Sequence, residues 1–390
     1  MPNVKWQPSA DGIEHCDVAV VGGGIAGCAA GYYLARSGAD VVVVERFELN
    51  TQASGRNAGS LHGQIQHEPF VQLGEVWARD FLPALGLLVD SVRQWRTLSA
   101  ELGVDLEVVT NGGLLVARTA EQLEGIRRKA AIEHAAGFDV EVLGRDELRE
   151  VAPYISTDMV GAQLSRDEGK ANSLLAAPAF AAAAVRSGAR VRTRTAVDQI
   201  AVIPGCFQLS TATGTIECGK VVVTTGTDLV HLLGPFGCRP PVTAEPVQVS
   251  VTEPVAPLVG HLVYYAGGRL TMKQTRAGSL LIGGGWPADS DAAGNPVVSA
   301  ASLRSNLRVA LTVVPAVRDA LVLRSWVGVG NGTPDHRPLL GEVPGTPGLY
   351  AGMFPYMGLT AGPIVGRLLA DLVLGQDPGR DLAPFALDRF

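Results

Sequence analysis

The segment Asp17–Val21 (DVAVV) runs straight into Gly22-Gly23-Gly24-Ile25-Ala26-Gly27, and this junction restricts the N-terminal fold more than any other feature of the chain. A short apolar run ending in glycines, then a helical pattern over Ile25–Ser37 with Gly38 as its stop, predicts strand, tight turn and helix. Val41–Val44 (VVVV) reads as a parallel strand buried on both faces, closed by Glu45. In such a βαβ unit Gly22 allows the turn, Gly24 lets backbone approach a pyrophosphate, and Gly27 permits close helix–strand packing. Ile25 and Ala26 open the helix, whose unpaired N–H groups and partial positive charge favour an anion. Glu45 follows Gly27 by eighteen residues, a position suited to accepting hydrogen bonds from ribose hydroxyls. The unit predicts a bound dinucleotide; the glycine pattern alone leaves FAD and NAD(P) both open.

Downstream, helical patterns occupy Phe70–Leu102, Ala120–Ala136, Arg145–Val151 and Leu174–Ser187. Gly112–Ala117, Arg190–Arg194, Ala196–Val202 and Lys220–Thr224 read as strands, and Phe207–Ile216 resembles a hairpin. From Pro240 the character changes. Val247–Val251, Leu262–Tyr265, Arg269–Lys273 and Ser279–Ile282 are short strands separated by Gly or Pro, the pattern of an antiparallel sheet. A helix over Ser299–Val313 and a strand over Leu323–Val327 follow, then a strand at Leu349–Ala351 and a helix at Pro363–Leu374 after a glycine-rich loop.

Composition removes several classes of function. Of 390 residues 47% are hydrophobic and 18% charged, below the roughly 25% charged of an average soluble protein. That balance suits a large compact enzyme or an extensive subunit interface. A net charge of −6 disfavours nucleic acid, whose phosphates demand clustered cations. The run Arg127-Arg128-Lys129 sits among Glu121, Glu124 and Glu133 and reads as a solvated helix face. The five cysteines include no CxxC pair, which argues against a zinc site or disulfide framework and for thiols in a reducing compartment. Met1–Glu14 has no apolar core of a secretory signal. Leu174–Val185, broken by Pro178, is too short to span a bilayer. A cytoplasmic protein is expected. The seven histidines are scattered, no GxSxG or HExxH occurs, and no metal site is expected.

The company the glycine turn keeps favours FAD. Glu45-Arg46, the stretch Ala53-Ser54-Gly55-Arg56-Asn57-Ala58-Gly59-Ser60-Leu61-His62, and Thr225-Gly226 accompany it. Later come Ser325-Trp326-Val327-Gly328, Thr333-Pro334-Asp335, Arg337-Pro338-Leu339-Leu340-Gly341 and Gly358-Leu359-Thr360-Ala361-Gly362-Pro363. On these residues the chain resembles the D-amino acid oxidase-type (DAO) superfamily of FAD oxidoreductases, with sarcosine and glycine oxidases, over about Cys16 to Gly375. It is close in flavour to the flavin subunits of opine- and proline-type amine dehydrogenases. The resemblance implies an α/β (α+β) fold, an FAD-binding Rossmann-type domain with an inserted substrate domain built on an antiparallel sheet. It assigns 1–85, 146–239 and 323–390 to FAD binding, and 86–145 and 240–322 to the substrate domain. It implies that Gly22, Gly24 and Gly27 cradle the diphosphate and that Glu45 and Arg46 hold the adenosine. Ser54, Arg56, Asn57, Ala58, Gly59, Ser60 and Leu61 would run beside the diphosphate, ribityl chain and isoalloxazine. Val197 would meet the adenine, Thr225 and Gly226 would close over the nucleotide, and Gly328 belongs to the Trp-x-Gly motif. Gly358, Leu359 and Thr360 would present helix N–H groups to the flavin pyrimidine.

Departures from the pattern narrow the chemistry. Two arginines that grip a substrate carboxylate in glycine oxidase-like members are replaced by Gly330 and Tyr356. A small amino acid held by two arginines is therefore disfavoured. Non-covalent FAD is expected, because no Cys lies beyond Cys238 and Asn57 stands near the position where some members link flavin to His. Substrate-side candidates are His62, Gln64, Tyr264, Tyr265, Lys273, Trp286, Asn331, His336 and Tyr356. His62, Tyr356, Tyr265 and Lys273 are the catalytic candidates, with one of the two adjacent tyrosines expected in the core. The expected reaction is oxidation of a C–N bond in a secondary amine, opine, N-alkyl or imino acid by hydride transfer to flavin N5, giving an imine that hydrolyses. Rival readings are an NAD(P)-dependent dehydrogenase, and an FAD-bearing subunit of a heteromeric complex with an iron–sulfur partner. A homo-oligomer is the other assembly expected.

Overall fold

The computed structural model describes residues 12–390. Two eight-stranded sheets, each with its own helices, meet across one long crevice. The first sheet is assembled from distant pieces of chain. Its order runs Leu339–Glu342, Leu349–Met353, Gly214–Val223, Ile13–Val21, Val41–Val44, Arg190–Arg192, with Cys206–Thr211 and Val197–Ile203 attached beside Gly214–Val223. The central strands are parallel. Val41, Val42, Val43 and Val44 are almost wholly buried, as an uninterrupted β-branched run in a doubly covered sheet should be. On one face the helices Ile25–Arg36 and Gly358–Val373 pack side by side against this sheet. The chain reverses strand order at Ile13–Val21, and in open α/β sheets such a switch point opens a ligand crevice at the carboxyl ends of the strands.

The second sheet runs Val322–Gly332, Thr243–Pro254, Ser279–Pro287, Gly268–Gln274, Leu262–Tyr265, Gly113–Ala117, Gly161–Ser165, Val140–Gly144. Its pairings are antiparallel except between Leu262–Tyr265 and Gly113–Ala117. Sheet membership crosses the expected segment bounds in two places. Gly161–Ser165 is hydrogen-bonded into the second sheet although it lies within 146–239, and Val322–Gly332 pairs with Thr243–Pro254 although it lies almost wholly within 323–390. Long-range pairing, invisible in local pattern, decides both. The basic run also divides: Lys129 is completely buried and bonded to Glu133, while Arg127 keeps to the surface.

The helix His67–Leu102 begins three residues earlier than its apolar pattern predicts, because Gly74, at φ 80, breaks it and sets the first turns at a new angle. Beyond the break it carries the fully buried Trp95, whose Nε1–H donates to the Thr360 carbonyl at 2.9 Å; the Ser91 hydroxyl donates to the same oxygen at 2.5 Å. Those two bonds pin the first turn of the helix Gly358–Val373. Among the described residues no helix is long and apolar enough to cross a membrane.

Candidate active site

The crevice has a volume of about 1160 Å³ and runs from the first glycine turn to the face of the second sheet. At the nucleotide end it is lined by Gly22, Gly24, Ile25, Ala26, Glu45, Arg46, Ser54, Arg56, Val197, Thr225 and Gly226. Gly27 is not on the wall. A Cβ there would fall 1.9 Å from the Gly22 carbonyl oxygen, so its role is the close approach of helix to strand. Gly22 holds φ 110, the left-handed region a turn of this tightness requires. The Glu45 carboxylate accepts the Gly23 N–H at 2.7 Å and the Phe47 N–H at 2.8 Å, and each oxygen keeps a lone pair for a further donor. Arg46 is ion-paired with Asp228. Ser54 Oγ accepts the Ile25 N–H at 3.0 Å, and Thr225 Oγ1 is buried with no hydrogen-bond partner among the described residues.

Further along, Asn57, Ala58, Ser60, Gly328, Gly358, Leu359 and Thr360 line the wall, whereas Leu61 is fully buried behind it and Gly59 lies off it, turning the chain at φ 78. Thr360 Oγ1 accepts the His62 N–H at 3.0 Å and donates to the Ser60 carbonyl at 3.2 Å, tying the loop to the helix start. The open glycine turn, a helix start at each end of the crevice and the partnerless Thr225 hydroxyl fit a flavin dinucleotide stretched along the crevice.

The substrate end brings together most of the predicted side chains. His62, Gln64, Tyr264, Tyr265, Asn331, His336 and Tyr356 all line it. Trp286 does not; its indole N–H donates to the Arg269 carbonyl at 2.9 Å. Lys273 also lies off the wall, buried behind Ser60, to whose hydroxyl it donates. Burial, helped by the Lys170 charge, lowers its pKa to about 7. The two adjacent tyrosines divide between the faces of their strand, as expected: Tyr265 packs against the core cluster of Leu114, Val116 and Met272. Tyr264, on the crevice face, bonds to His62 Nδ1 at 2.8 Å and donates to Glu168 Oε1 at 2.9 Å, while Tyr265 borders the crevice only at its edge. Burial and the charge of Lys273 hold the His62 pKa down near 3, so its ring is neutral. Tyr356 sits at φ 58, unusual for a bulky residue; its N–H donates to the Asn331 carbonyl at 2.9 Å and its hydroxyl to Glu245 Oε1 at 2.8 Å. Burial, and then that bond to a carboxylate, push its pKa well up.

Sequence reasoning missed three carboxylates. Glu245 lies on the wall beside Tyr356, Glu68 is paired with Arg269 at 2.7 Å, and Glu168 is wholly buried beneath Tyr264. Isolated acids in loops or strand ends default to solvent, and no motif marks them.

Fold and crevice define a dinucleotide-binding oxidoreductase with a substrate chamber roofed by a second sheet. The chain belongs to the DAO family of FAD dependent oxidoreductases, whose pattern it matches over residues 17–372. FAD is therefore the cofactor, and the nicotinamide reading is withdrawn. Glycine oxidase from Geobacillus kaustophilus is 30% identical over 382 residues, 96% of this chain and 97% of that one. An opine oxidase subunit from Rhizobium meliloti is 28% identical, covering 96% and 97%. The crystal structure of glycine oxidase from Geobacillus kaustophilus superposes with a TM-score of 0.84 at 27% identity, covering 97% of this chain and 99% of that one.

Proposed function

We propose that this enzyme oxidises the C–N bond of a secondary amine or N-substituted amino acid, of the opine, N-alkyl or imino acid kind, to an imine that water hydrolyses. FAD, held without a covalent link, would supply the acceptor for a hydride from the carbon next to nitrogen. Gly24 would present its N–H, and the helix start its partial positive charge, to the diphosphate, Glu45 its ribose acceptors, Val197 the adenine contact, and Gly358–Thr360 the helix start facing the pyrimidine. His62, neutral at physiological pH, would meet the amine, with Tyr264 behind it.

One observation carries the substrate class. Each arginine on the crevice wall is engaged: Arg46 with Asp228, Arg56 with the Thr51 carbonyl at 2.7 Å, and Arg269 with Glu68. Gly330 and Tyr356 offer no cation in their place, and Glu245 adds a carboxylate. A chamber of that charge suits an amine whose carboxylate, if present, lies away from Glu245. It does not suit a small amino acid clamped by guanidinium groups. Relatives named as oxidases of glycine and opine are in keeping with C–N chemistry.

Anaerobic mixing of the yellow protein with sarcosine, L-proline, opines, D-amino acids and glycine tests the proposal. Bleaching by a secondary amine is expected, with a rate that rises with pH as the amine loses its proton. Bleaching by glycine alone, or by hydroxy acids and no amine, would overturn it.

A second reading is that the chain works as the FAD-bearing member of a heteromeric dehydrogenase. Val71, Leu73 and Val76 are exposed on the turns flanking Gly74, next to the crevice mouth, and one relative is named a subunit. Size exclusion of the isolated chain with a dye-reduction assay separates the readings: turnover by a monomer or homo-oligomer rules out the need for an iron–sulfur partner. Five free thiols suit a reducing, cytoplasmic setting.

A further inference from the structure

Beneath the substrate chamber lies a polar cluster to which amine oxidation by the flavin assigns no role. Glu168 is wholly buried, and its Oε1 accepts the Gly63 N–H at 2.8 Å and the Tyr264 hydroxyl at 2.9 Å. Its Oε2 accepts from Gln64 Nε2 at 2.7 Å. Among the described residues it forms no ion pair. The nearby Lys129, from the helix Ala120–Ala135, bonds both oxygens of Glu133 at 2.9 and 3.1 Å and touches the cluster only through Gln64 Oε1 at 3.1 Å. Glu133 is further held by the Ile65 N–H and Gln163. Asp167 turns the other way, to Arg93 and Arg96. The charge of Lys129 reaches His67, that of Lys273 reaches His62, and that of Lys170 reaches Lys273. The carboxylate presses so closely on the strand Gly113–Ala117 that a Cβ on Gly113 would fall 1.8 Å from Oε2. Such a site is built around this acid.

The hydrogen bonds fix the direction of the chain. A tyrosine hydroxyl has one proton. With that proton given to Glu168, the Tyr264 oxygen can only accept from His62, so Nδ1 carries hydrogen and Nε2 carries a lone pair. Nε2 makes no hydrogen bond among the described residues, and His62 lines the crevice.

We propose that Glu168 is the proton acceptor for the substrate nitrogen, reached through the Tyr264 hydroxyl and the His62 imidazole. The inference rests on the amine-oxidation reading. An ammonium at the chamber gives its proton to His62 Nε2 as Nδ1–H passes to the Tyr264 oxygen and the Tyr264 proton passes to Glu168 Oε1. Three bonds to hydrogen break and three form. The amine is left neutral with its lone pair free, Glu168 becomes the acid, and His62 ends as the other neutral tautomer without ever holding a lasting charge. Tyr264 and Glu168 touch neither substrate nor cofactor and are positioning and relay residues. Burial without a partner cation raises the Glu168 pKa to about 7, against the opposing pull of its hydrogen bonds and of Lys129. The relay is therefore armed above that pH and reversed below it: a protonated Glu168 donates to Tyr264, which donates to Nδ1, and hydrogen moves to Nε2.

Two readouts on the FAD-loaded protein test this. The first needs no substrate: ¹⁵N-histidine NMR, with the His62 signal assigned from His62→Gln. The expected result is a neutral ring whose bare nitrogen switches from Nδ1 to Nε2 as pH rises through about 7. Glu168→Gln should abolish the switch, and Tyr264→Phe, which keeps the ring and its packing, should do the same if Glu168→Gln does not fold. The second is anaerobic flavin reduction by sarcosine, L-proline and N-(1-carboxyethyl)alanine across pH. Tyr264→Phe and Glu168→Gln should slow reduction about 100-fold near neutrality and move the midpoint up towards that of a free amine, about 10. An unchanged midpoint in both variants, or a His62 tautomer fixed across pH in the wild type, overturns the relay. Failure of all three amines to bleach the wild type counts against the amine reading, and the spectra then decide the relay alone.

Discussion

Replacing Gly27 by alanine probes the grip on the dinucleotide more directly than any substitution on the crevice wall. The new Cβ would lie 1.9 Å from the Gly22 carbonyl oxygen and 2.5 Å from Thr224 Oγ1. Carbon and carbonyl oxygen meet comfortably at about 3.3 Å, so the gap between turn and helix must open by roughly 1.4 Å. The helix Ile25–Arg36 cannot simply retreat, because on its far side Gly366 is pressed against Ala29 closely enough that a Cβ on Gly366 would fall 2.5 Å from the Ala29 Cβ. Overpacking at a site clamped on both sides belongs at the upper end of the usual range, about 2–3 kcal/mol. If the helix start moves, its N–H groups leave the diphosphate, and a loss of about 2 kcal/mol weakens FAD binding roughly 30-fold. If the Gly22 carbonyl moves instead, the strand end is disrupted and the same energy is taken from the apoprotein. Fluorescence titration of apoprotein with FAD, paired with urea unfolding of the apoprotein, separates the two. Gly27→Ala with an FAD Kd within threefold of wild type and an unchanged unfolding midpoint would refute the packing argument.

Other outcomes follow from single side chains. Burial holds Lys273 near 7 against about 10.4 in an unfolded chain, so between those values the unfolded chain binds more protons and stability rises with pH. Lys273→Met should flatten that rise and stabilise the protein at about pH 6 by more than ~1 kcal/mol, read by denaturant titration at several pH values; an unaltered slope counts against a lowered lysine. Glu245→Gln should raise KM about tenfold with kcat within about twofold, and a kcat effect alone would place Glu245 elsewhere in the cycle. Trp95→Phe, which strips the Thr360 carbonyl of an indole donor, should cost about 1–3 kcal/mol in thermal unfolding.

Much of the nucleotide half can be read from sequence because its elements are locally self-declaring. Val41–Val44 admits one environment, and a strand followed by three glycines and a helical pattern admits one turn. The substrate half resists. Val140–Gly144 and Gly161–Ser165 do not declare themselves as strands, since each is short and the second is fixed in the sheet by pairing with the distant Gly113–Ala117. Among site residues, those tied to a loop with fixed chemistry, such as Ser54 and Asn57, are identifiable. Glu168 and Lys129 are not. A charged side chain in a polar stretch reads as solvated, and its burial depends on close approaches, at Gly113 and Gly63, that exist only once the sheet has formed. Trp286 and Lys273 mislead in the other direction: polar or aromatic character makes them candidates, and their bonds to Arg269 and Ser60 turn them away from the chamber.

The break at Gly74 divides labour along one helix. Past it, Ser91 and Trp95 hold the flavin-side helix start and are sunk in the core; before it, Glu68, Val71 and Gln72 border the opening through which a substrate arrives. Because the two stretches do not share an axis, the exposed side chains of Val71, Gln72 and Leu73 can be exchanged without disturbing what Trp95 supports. A lineage could thus retune which molecules are admitted, by size or by charge, while leaving the oxidising machinery as it stands.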